Sequence, residues 1–510
     1  MKSSRVVLFI FSVLLTLGIL CVVFPAEGVT LGGMTLGFPS LEQVLGGDKY
    51  AAEDEPEGES PEEILARRLT ELRAAEESEF IEFAKNSPTR IFFPDDDPDF
   101  FNDFFDALDS AMTYPMRIVH YGDSQLEEDR ITNNVRQQLQ ERFGGSGAGM
   151  MPLVQPYTTL TLKQIRSNTP VRSIVYGTKE FQVPSGKYGP MGQAARLHGS
   201  MDVTFSPNTR LAPDHRVRFM DKVTILTDAA KEPLNIMCGG STAVIDTLEG
   251  ALRRYVIDVP DSSQTVSFRI SGNADVYGVL LDGEAGVSLD NVAMRGCSGT
   301  IFTRIDAAQL ADFYSRENVR LIILQYGGNA VPYMRVGKSL DEFGKKIYNQ
   351  ICFVREQAPD AAILFIGPSD MSTNVNGSMR TYPALPAIID TLRSNANRAG
   401  AAYWDLYEVM GGNNSMVEWV RSGYAGKDYI HFTHKGADEV GNLLAQSLLL
   451  YYDYYKWRKK PLTEQLTPDV IERLMRDEYD KETPEVDTLA EAEPVRDTVS
   501  VPVTQADTLR

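Results

Sequence analysis

Between residues 276 and 450 the chain alternates short apolar runs with longer segments whose apolar residues recur every three to four positions. Val276–Leu281, Val287–Val292, Arg320–Tyr326, Ala362–Ile366 and Ala402–Leu406 read as strands. Leu340–Gln357 and Leu385–Ala399 read as helices, and a long apolar helix runs on to Leu450. Strands that alternate with helices imply a parallel sheet covered by those helices. An earlier stretch carries the same signature. Arg117-Ile118-Val119 suits a short buried strand that breaks on Gly122-Asp123-Ser124, after which Ile131, Val135, Leu139 and Phe143 have helical spacing.

The α/β pattern is interrupted between its first and second parts. From about Leu153 to Ala274 the runs shorten and alternate, as in Met201–Phe205, Val223–Leu226, Tyr255–Val259 and Val266–Ile270, with turn residues between them. This predicts an all-β sandwich, residues 153–275, inserted into an α/β domain made of residues 90–152 and 276–458. Gly144–Gly149 reads as a flexible exit; without a Lys-Ser/Thr sequel it is not a phosphate loop. Before the first strand, Phe100, Phe101, Phe104, Phe105 and Leu108 form an aromatic helix suited to packing on a sheet.

The ends differ from this body. Lys2 and Arg5 precede an uncharged run, Val6–Phe24, followed by small residues at Ala26-Glu27-Gly28. Residues 1–28 therefore read as a cleaved export signal or an uncleaved membrane anchor, and the length of the run favours the anchor. Cys21 lacks the small preceding residue that a lipoprotein signal requires. Residues 29–89 read as a Gly/Glu/Pro-rich spacer followed by a charged helix with Ile64, Leu65, Leu69, Leu72 and Ala75 in a stripe; residues 459–510 read as an acidic, disordered tail. A net charge of −20 excludes the basic footprint of a nucleic-acid binder. Cys238, Cys297 and Cys352 are too few and scattered for a disulfide framework or zinc spacing and read as buried free thiols; one pair at most could form.

Ser124 stands at the end of a strand, where open α/β sheets place ligands, but Gly-Asp-Ser is also ordinary turn chemistry. A serine becomes nucleophilic only beside a base, which is usually histidine. The chain has five. His120 lies in the strand before the turn, where alternation aims it near the site or at a sheet face. His198 and His215 fall in the β insert, leaving His431 and His434. Asp428 precedes His431 by three residues, a spacing at which a carboxylate can hold the second ring N–H. Asp428, His431 and His434 could also ligate a metal, but no further ligand cluster is nearby.

Four short blocks, Gly122-Asp123-Ser124, Ser298-Gly299, Gly327-Gly328-Asn329 and Asp428-Tyr-Ile-His431, occur in the order found in the SGNH, or GDSL, hydrolases, a family of serine esterases and lipases that this chain resembles over residues 116–149 and 276–450. The resemblance implies a flavodoxin-like α/β/α sandwich with Ser124 as nucleophile, His431 as base and Asp428 as its orienter. It also implies an oxyanion hole made of the Ser124 and Gly299 N–H groups and the Asn329 amide, with no metal or cofactor. Ala330 stands where many members carry Asp or Glu, and the β insert departs from minimal members. Its position is similar to that of the carbohydrate-binding-like module in peptidoglycan O-acetylesterases of this superfamily.

The implied function is an exported esterase that removes acyl groups, chiefly acetyl, from a cell-envelope or extracellular polysaccharide, its substrate being an acylated polysaccharide or peptidoglycan. Two alternatives stand beside it. One is an acetyltransferase using the same triad with a membrane acyl-donor partner, and the other is a non-catalytic glycan binder.

Overall fold

The computed structural model describes residues 61–177, 186–228, 233–238 and 244–461, with residue 183 and short stretches between 13 and 39. Residues Glu79–Pro461 form one unit; Met1–Ser78 together with Leu462–Arg510 form another. In the second, the described residues include the hairpin Val29–Leu31 and Met34–Leu36 and the first part of the charged helix Pro61–Asn86. Of the signal or anchor expected at Val6–Phe24, residues 13, 15–17 and 19–24 are described, helical up to residue 23; most of the spacer and the tail beyond Pro461 lie outside the described residues. Among the described residues no helix is long and apolar enough to cross a membrane.

The main unit is built on five parallel strands: β1 (Met116–Gly122), β2 (Val287–Ala293), β3 (Val319–Gln325), β4 (Ala362–Ile366) and β5 (Ala402–Trp404). Their order is β2-β1-β3-β4-β5, with Ile91–Phe92 antiparallel at the β5 edge. This is the flavodoxin-like order, in which chain direction across the sheet reverses between β1 and β3. The longer helices are α1 (Thr132–Phe143), α2 (Ala307–Arg316), α3 (Lys338–Gln357), α4 (Leu385–Arg398), α5 (His434–Lys459) and the shorter Asn102–Ser110.

Successive strand residues serve opposite faces. Val119, Tyr121, Ile322, Leu324, Ile363 and Phe365 pack with α2, α3 and α4. Ile118, Leu321, Ile323, Leu364 and Ile366 pack with Asn102–Ser110, α1 and α5. Burial on both faces explains the uninterrupted apolar runs. The helices carry apolar residues on one side only, as in α3, where Leu340, Phe343, Ile347, Ile351 and Val354 are buried. The structure is thus the expected three-layer α/β/α sandwich, and the aromatic helix Asn102–Ser110 supports it through buried Phe104, Phe105 and Leu108.

Among the described residues the interposed region forms nine antiparallel strands joined in one sheet. Its spine is the strand Val266–Asp282, and here the structure departs from the sequence reading. Val276–Leu281 is not a parallel strand of the α/β sheet. It continues the antiparallel strand, pairing with Met220–Thr227 on one side and Gly149–Met151 on the other. Both of its faces are covered: Val279 and Leu281 enter the core of the insert, while Tyr277 and Leu280 enter the core shared with α2 and α3.

Gly144–Gly149 is likewise no loose exit. It threads between the two sheets so tightly that a Cβ at Gly145 would lie 2.4 Å from the Val287 carbonyl oxygen and one at Gly147 2.1 Å from that of Leu281; both residues have positive φ.

Candidate active site

β1 ends at Gly122, and the chain enters a six-residue 3-10 turn, Ser124–Asp129, before α1 begins at Thr132. Ser124 therefore does not cap α1; it opens a separate turn capped by Asp123, whose Oδ1 accepts from the Gln125 N–H at 2.9 Å. Glu128 and Asp129 both have positive φ, 64° and 63°, a strained conformation for residues with a side chain. Asp129 is held there by a bidentate pair with Arg136 (2.6 and 3.1 Å) and by the Thr161 hydroxyl (2.8 Å).

The loop before α5 carries the base. His431 donates Nδ1–H to Asp428 Oδ2 at 2.7 Å, which leaves Nε2 to accept from the Ser124 hydroxyl at 2.9 Å. Asp428 Oδ1 accepts from the N–H groups of Ile430 and His431, each at 3.1 Å. Burial opposes ionisation of Asp428, but these bonds outweigh it and hold the carboxyl below the usual carboxylate range. Hydroxyl, imidazole and carboxylate thus form one continuous chain across 307 positions of sequence, a geometry that can draw a proton from serine and stabilise the resulting imidazolium.

The remaining histidines are elsewhere. His120 is fully buried between Gln325 and Thr132, where burial pushes its pKa down to about 3. His198 pairs with Asn273, and His215 caps the short turn Arg216–Arg218 within the insert. His434, the first residue of α5, is 2.8 Å from Glu128. Asp428 and His431 are bonded to each other and His434 to Glu128, and among the described residues no three His, Cys, Asp or Glu side chains are grouped to hold a metal ion.

Of the expected oxyanion donors, Ser124 and Asn329 line one cleft with Asp123, Tyr326, Gly367, Pro368, Met371, Leu406, Ile430 and His431; Gly299 does not line it. The Gly299 N–H approaches Cys297 Sγ at 3.4 Å, a weak acceptor. Burial pushes the Cys297 thiol up to about 12, so it stays neutral. Cys238 and Cys352, expected to be buried, are only half-buried.

The Asn329 amide gives one hydrogen to Asp123 Oδ2 (2.9 Å) and the other to the Cys297 carbonyl (3.1 Å). Asp123 thereby braces the loop that lacks an acidic residue at Ala330. Burial raises the Asp123 pKa to about 6, against the pull of the Gln125 and Asn329 bonds and the His431 charge.

Two further residues hold the serine and histidine loops together. The Gln125 side chain donates to the Ile430 carbonyl (2.8 Å) and accepts from the Phe432 N–H (3.3 Å). The Arg130 guanidinium donates to the carbonyls of Ser124, Gln125 and Phe432 at 2.8 to 3.0 Å. Nothing local in the sequence marks either residue; their adjacency to Ser124 is the only hint. Gln125→Leu should lower kcat for a small ester about ten-fold with a smaller change in KM, because the Ser–His distance loses its restraint; steady-state kinetics check this.

No family model matches the chain, and no curated protein matches it. Among solved structures, a peptidoglycan O-acetylesterase superposes on 73% of this chain and 97% of its own, with a TM-score of 0.57 at 19% identity. An acetyl xylan esterase matches over 32% of this chain and 81% of its own, at 15% identity and a TM-score of 0.25. A carbohydrate esterase family 2 enzyme with a carbohydrate binding domain, from Corynascus thermopiles (Myceliophthora fergusii), matches over 50% and 95%, at 11% identity and a TM-score of 0.25. The first likeness shows a shared fold, an α/β/α sandwich with an added antiparallel β region. The fold is thus SGNH-like, or GDSL-like, in keeping with the four ordered sequence blocks.

Proposed function

We propose that this chain is a serine esterase that removes O-acetyl groups from a cell-envelope polysaccharide, peptidoglycan foremost, and that it acts outside the cytoplasm. The unbroken hydrogen-bond chain from Ser124 through His431 to Asp428, open to a cleft, carries the reading. The likeness to a peptidoglycan O-acetylesterase supports the substrate class, and the apolar run Val6–Phe24 supports export.

In this mechanism Ser124 Oγ attacks the ester carbonyl carbon while His431 Nε2 takes its proton. The tetrahedral oxyanion is received by the Ser124 N–H and by Asn329, with Gly299 reorienting from its thiol acceptor. A carboxylate and a carbonyl currently hold the Asn329 hydrogens, so this donor must also turn as negative charge develops; catalytic hydrogen bonds commonly tighten only then. Collapse breaks the C–O bond, and the imidazolium returns its proton to the departing sugar hydroxyl. Water, deprotonated by the same histidine, then releases acetate from Ser124.

The test gives purified protein an activated acetyl ester with and without a sugar acceptor. Acetate release that an acceptor does not divert supports hydrolysis; acetylated sugar in its place would establish the transferase instead. Asn329→Ala should lower kcat by roughly 10²- to 10³-fold with KM nearly unchanged, the loss typical of an oxyanion donor. Asp428→Asn should lower kcat by up to about 10⁴-fold, because the amide favours the wrong histidine tautomer. A loss below ten-fold in both variants would remove the triad and oxyanion assignments.

A further inference from the structure

The gap between the β insert and the serine turn, lined by Asp129, Tyr157, Arg172, Gln193 and Asn291, has a volume of ≈ 20 Å³. That is room for about one water, so a glycan cannot enter there. The catalytic cleft, at ≈ 180 Å³, is where a sugar must be met, and Tyr333 forms part of its wall. At 82% exposure Tyr333 is the most exposed large apolar side chain among the described residues.

It is not on a loose loop. The turn Gly328–Tyr333 that begins at the oxyanion residue Asn329 is pinned by buried Ala330 and Val331, and the Met334 N–H closes it onto the Ala330 carbonyl at 3.1 Å. An aromatic ring held out into water by a rigid turn at the edge of a cleft is suited to a ligand surface.

The cleft lining ranges from buried Met371 and Leu406, 4% and 1% exposed, with Gly367 and Pro368, to exposed Tyr333. The buried apolar part of that lining suits a short acyl group, which leaves exposed Tyr333 for the alcohol side of the ester. A pyranose ring has a face of C–H groups and an edge of hydroxyls, and a tyrosine offers the matching flat face and polar tip.

Resting on the esterase reading, we infer that Tyr333 is the platform on which the sugar ring bearing the acetyl ester stacks during deacetylation. The only other strongly exposed apolar side chain on this segment is Val336, at 69%. Two apolar groups make a poor membrane-inserting loop, and the net charge of −20 opposes anionic bilayers.

The experiment measures kcat and KM of the wild type, Tyr333→Ala and Tyr333→Trp for acetate release from O-acetylated peptidoglycan strands and from p-nitrophenyl acetate. Tyr333→Ala should lower the ratio of kcat/KM on the glycan to kcat/KM on the small ester roughly ten-fold, mainly through KM. Tyr333→Trp should return it to within about two-fold of wild type. An unchanged ratio in Tyr333→Ala overturns the platform and leaves the esterase standing. Wild-type turnover of the small ester alone overturns the platform and the polysaccharide substrate together, and no turnover of either overturns the esterase as well. Sedimentation with phosphatidylcholine vesicles that Tyr333→Ala abolishes, with the ratio unchanged, assigns the ring to a membrane and rejects the sugar.

Discussion

Replacing Ser124 with alanine is expected to reduce release of acetate from an activated ester by roughly 10⁴- to 10⁶-fold, the loss seen when a triad loses its nucleophile. The size follows from the absence of a substitute. The Ser124 hydroxyl is the group that faces His431 Nε2. The nearby Cys297 thiol is buried and held neutral, and its contact is with the Gly299 N–H. A water recruited by His431 would retain the oxyanion donors but lose the positioned oxygen, so a small residual rate should survive. Stability should barely change, because one hydroxyl and one half-buried hydrogen bond are worth about 0.5–1.5 kcal/mol. Kinetics and thermal unfolding of the same preparation separate the two effects. Retention of more than a tenth of the activity in a folded Ser124→Ala protein would remove Ser124 from the chemistry.

How much of this was legible beforehand depends on the range of the interaction. Ser124, Asp428 and His431 could be named because each stands in a short ordered block, and the structure places them in one hydrogen-bonded line. The parallel sheet was legible because strands buried on both faces leave continuous apolar runs.

That same signal misled at Val276–Leu281. A run buried on both sides looks alike whether its neighbours are parallel or antiparallel, and here one side is the insert and the other the α/β core. The Gly144–Gly149 segment looked flexible because glycine composition does not distinguish freedom from close packing against a carbonyl. The bonds of Gln125 and Arg130 to the histidine loop, and of Asp123 to Asn329, join residues two to three hundred positions apart. No local pattern encodes such contacts. Gly299 marks the limit of the block resemblance: it is near the site, yet its N–H faces a sulfur rather than the cleft.

The largest expected effect on stability lies where the insert joins the sheet. Arg117, on β1, is almost fully buried and holds Asp282 at the end of the long antiparallel strand and Asp290 on β2, each at 2.5 Å; Asp290 also accepts from the Met150 N–H at 2.8 Å. One guanidinium therefore neutralises two buried carboxylates from the two sheets, with Glu317 at 3.9 Å. Arg117→Met keeps most of the volume and removes the charge, leaving those carboxylates unpaired.

Breaking a buried pair from one side typically costs about 3–5 kcal/mol, which in a unit of this size should lower Tm by roughly 4–6 °C at pH 7. Burial already pushes the Asp290 carboxyl upward against the pull of Arg117, and without the cation the Met150 N–H is left as the bond opposing that rise. An acid whose folded pKa exceeds its unfolded value gives stability that is present at low pH and lost as pH rises through the folded value. The deficit of Arg117→Met should therefore shrink from pH 8 to pH 5. Adding Asp282→Asn and Asp290→Asn should recover much of it at pH 7, because the expensive species is the unpaired charge rather than the missing bond. Denaturant titrations at the two pH values decide the matter: a deficit below about 1 kcal/mol, or one independent of pH, would mean that the junction is held by its apolar contacts, with Tyr277 and Leu280 carrying what is here assigned to Arg117.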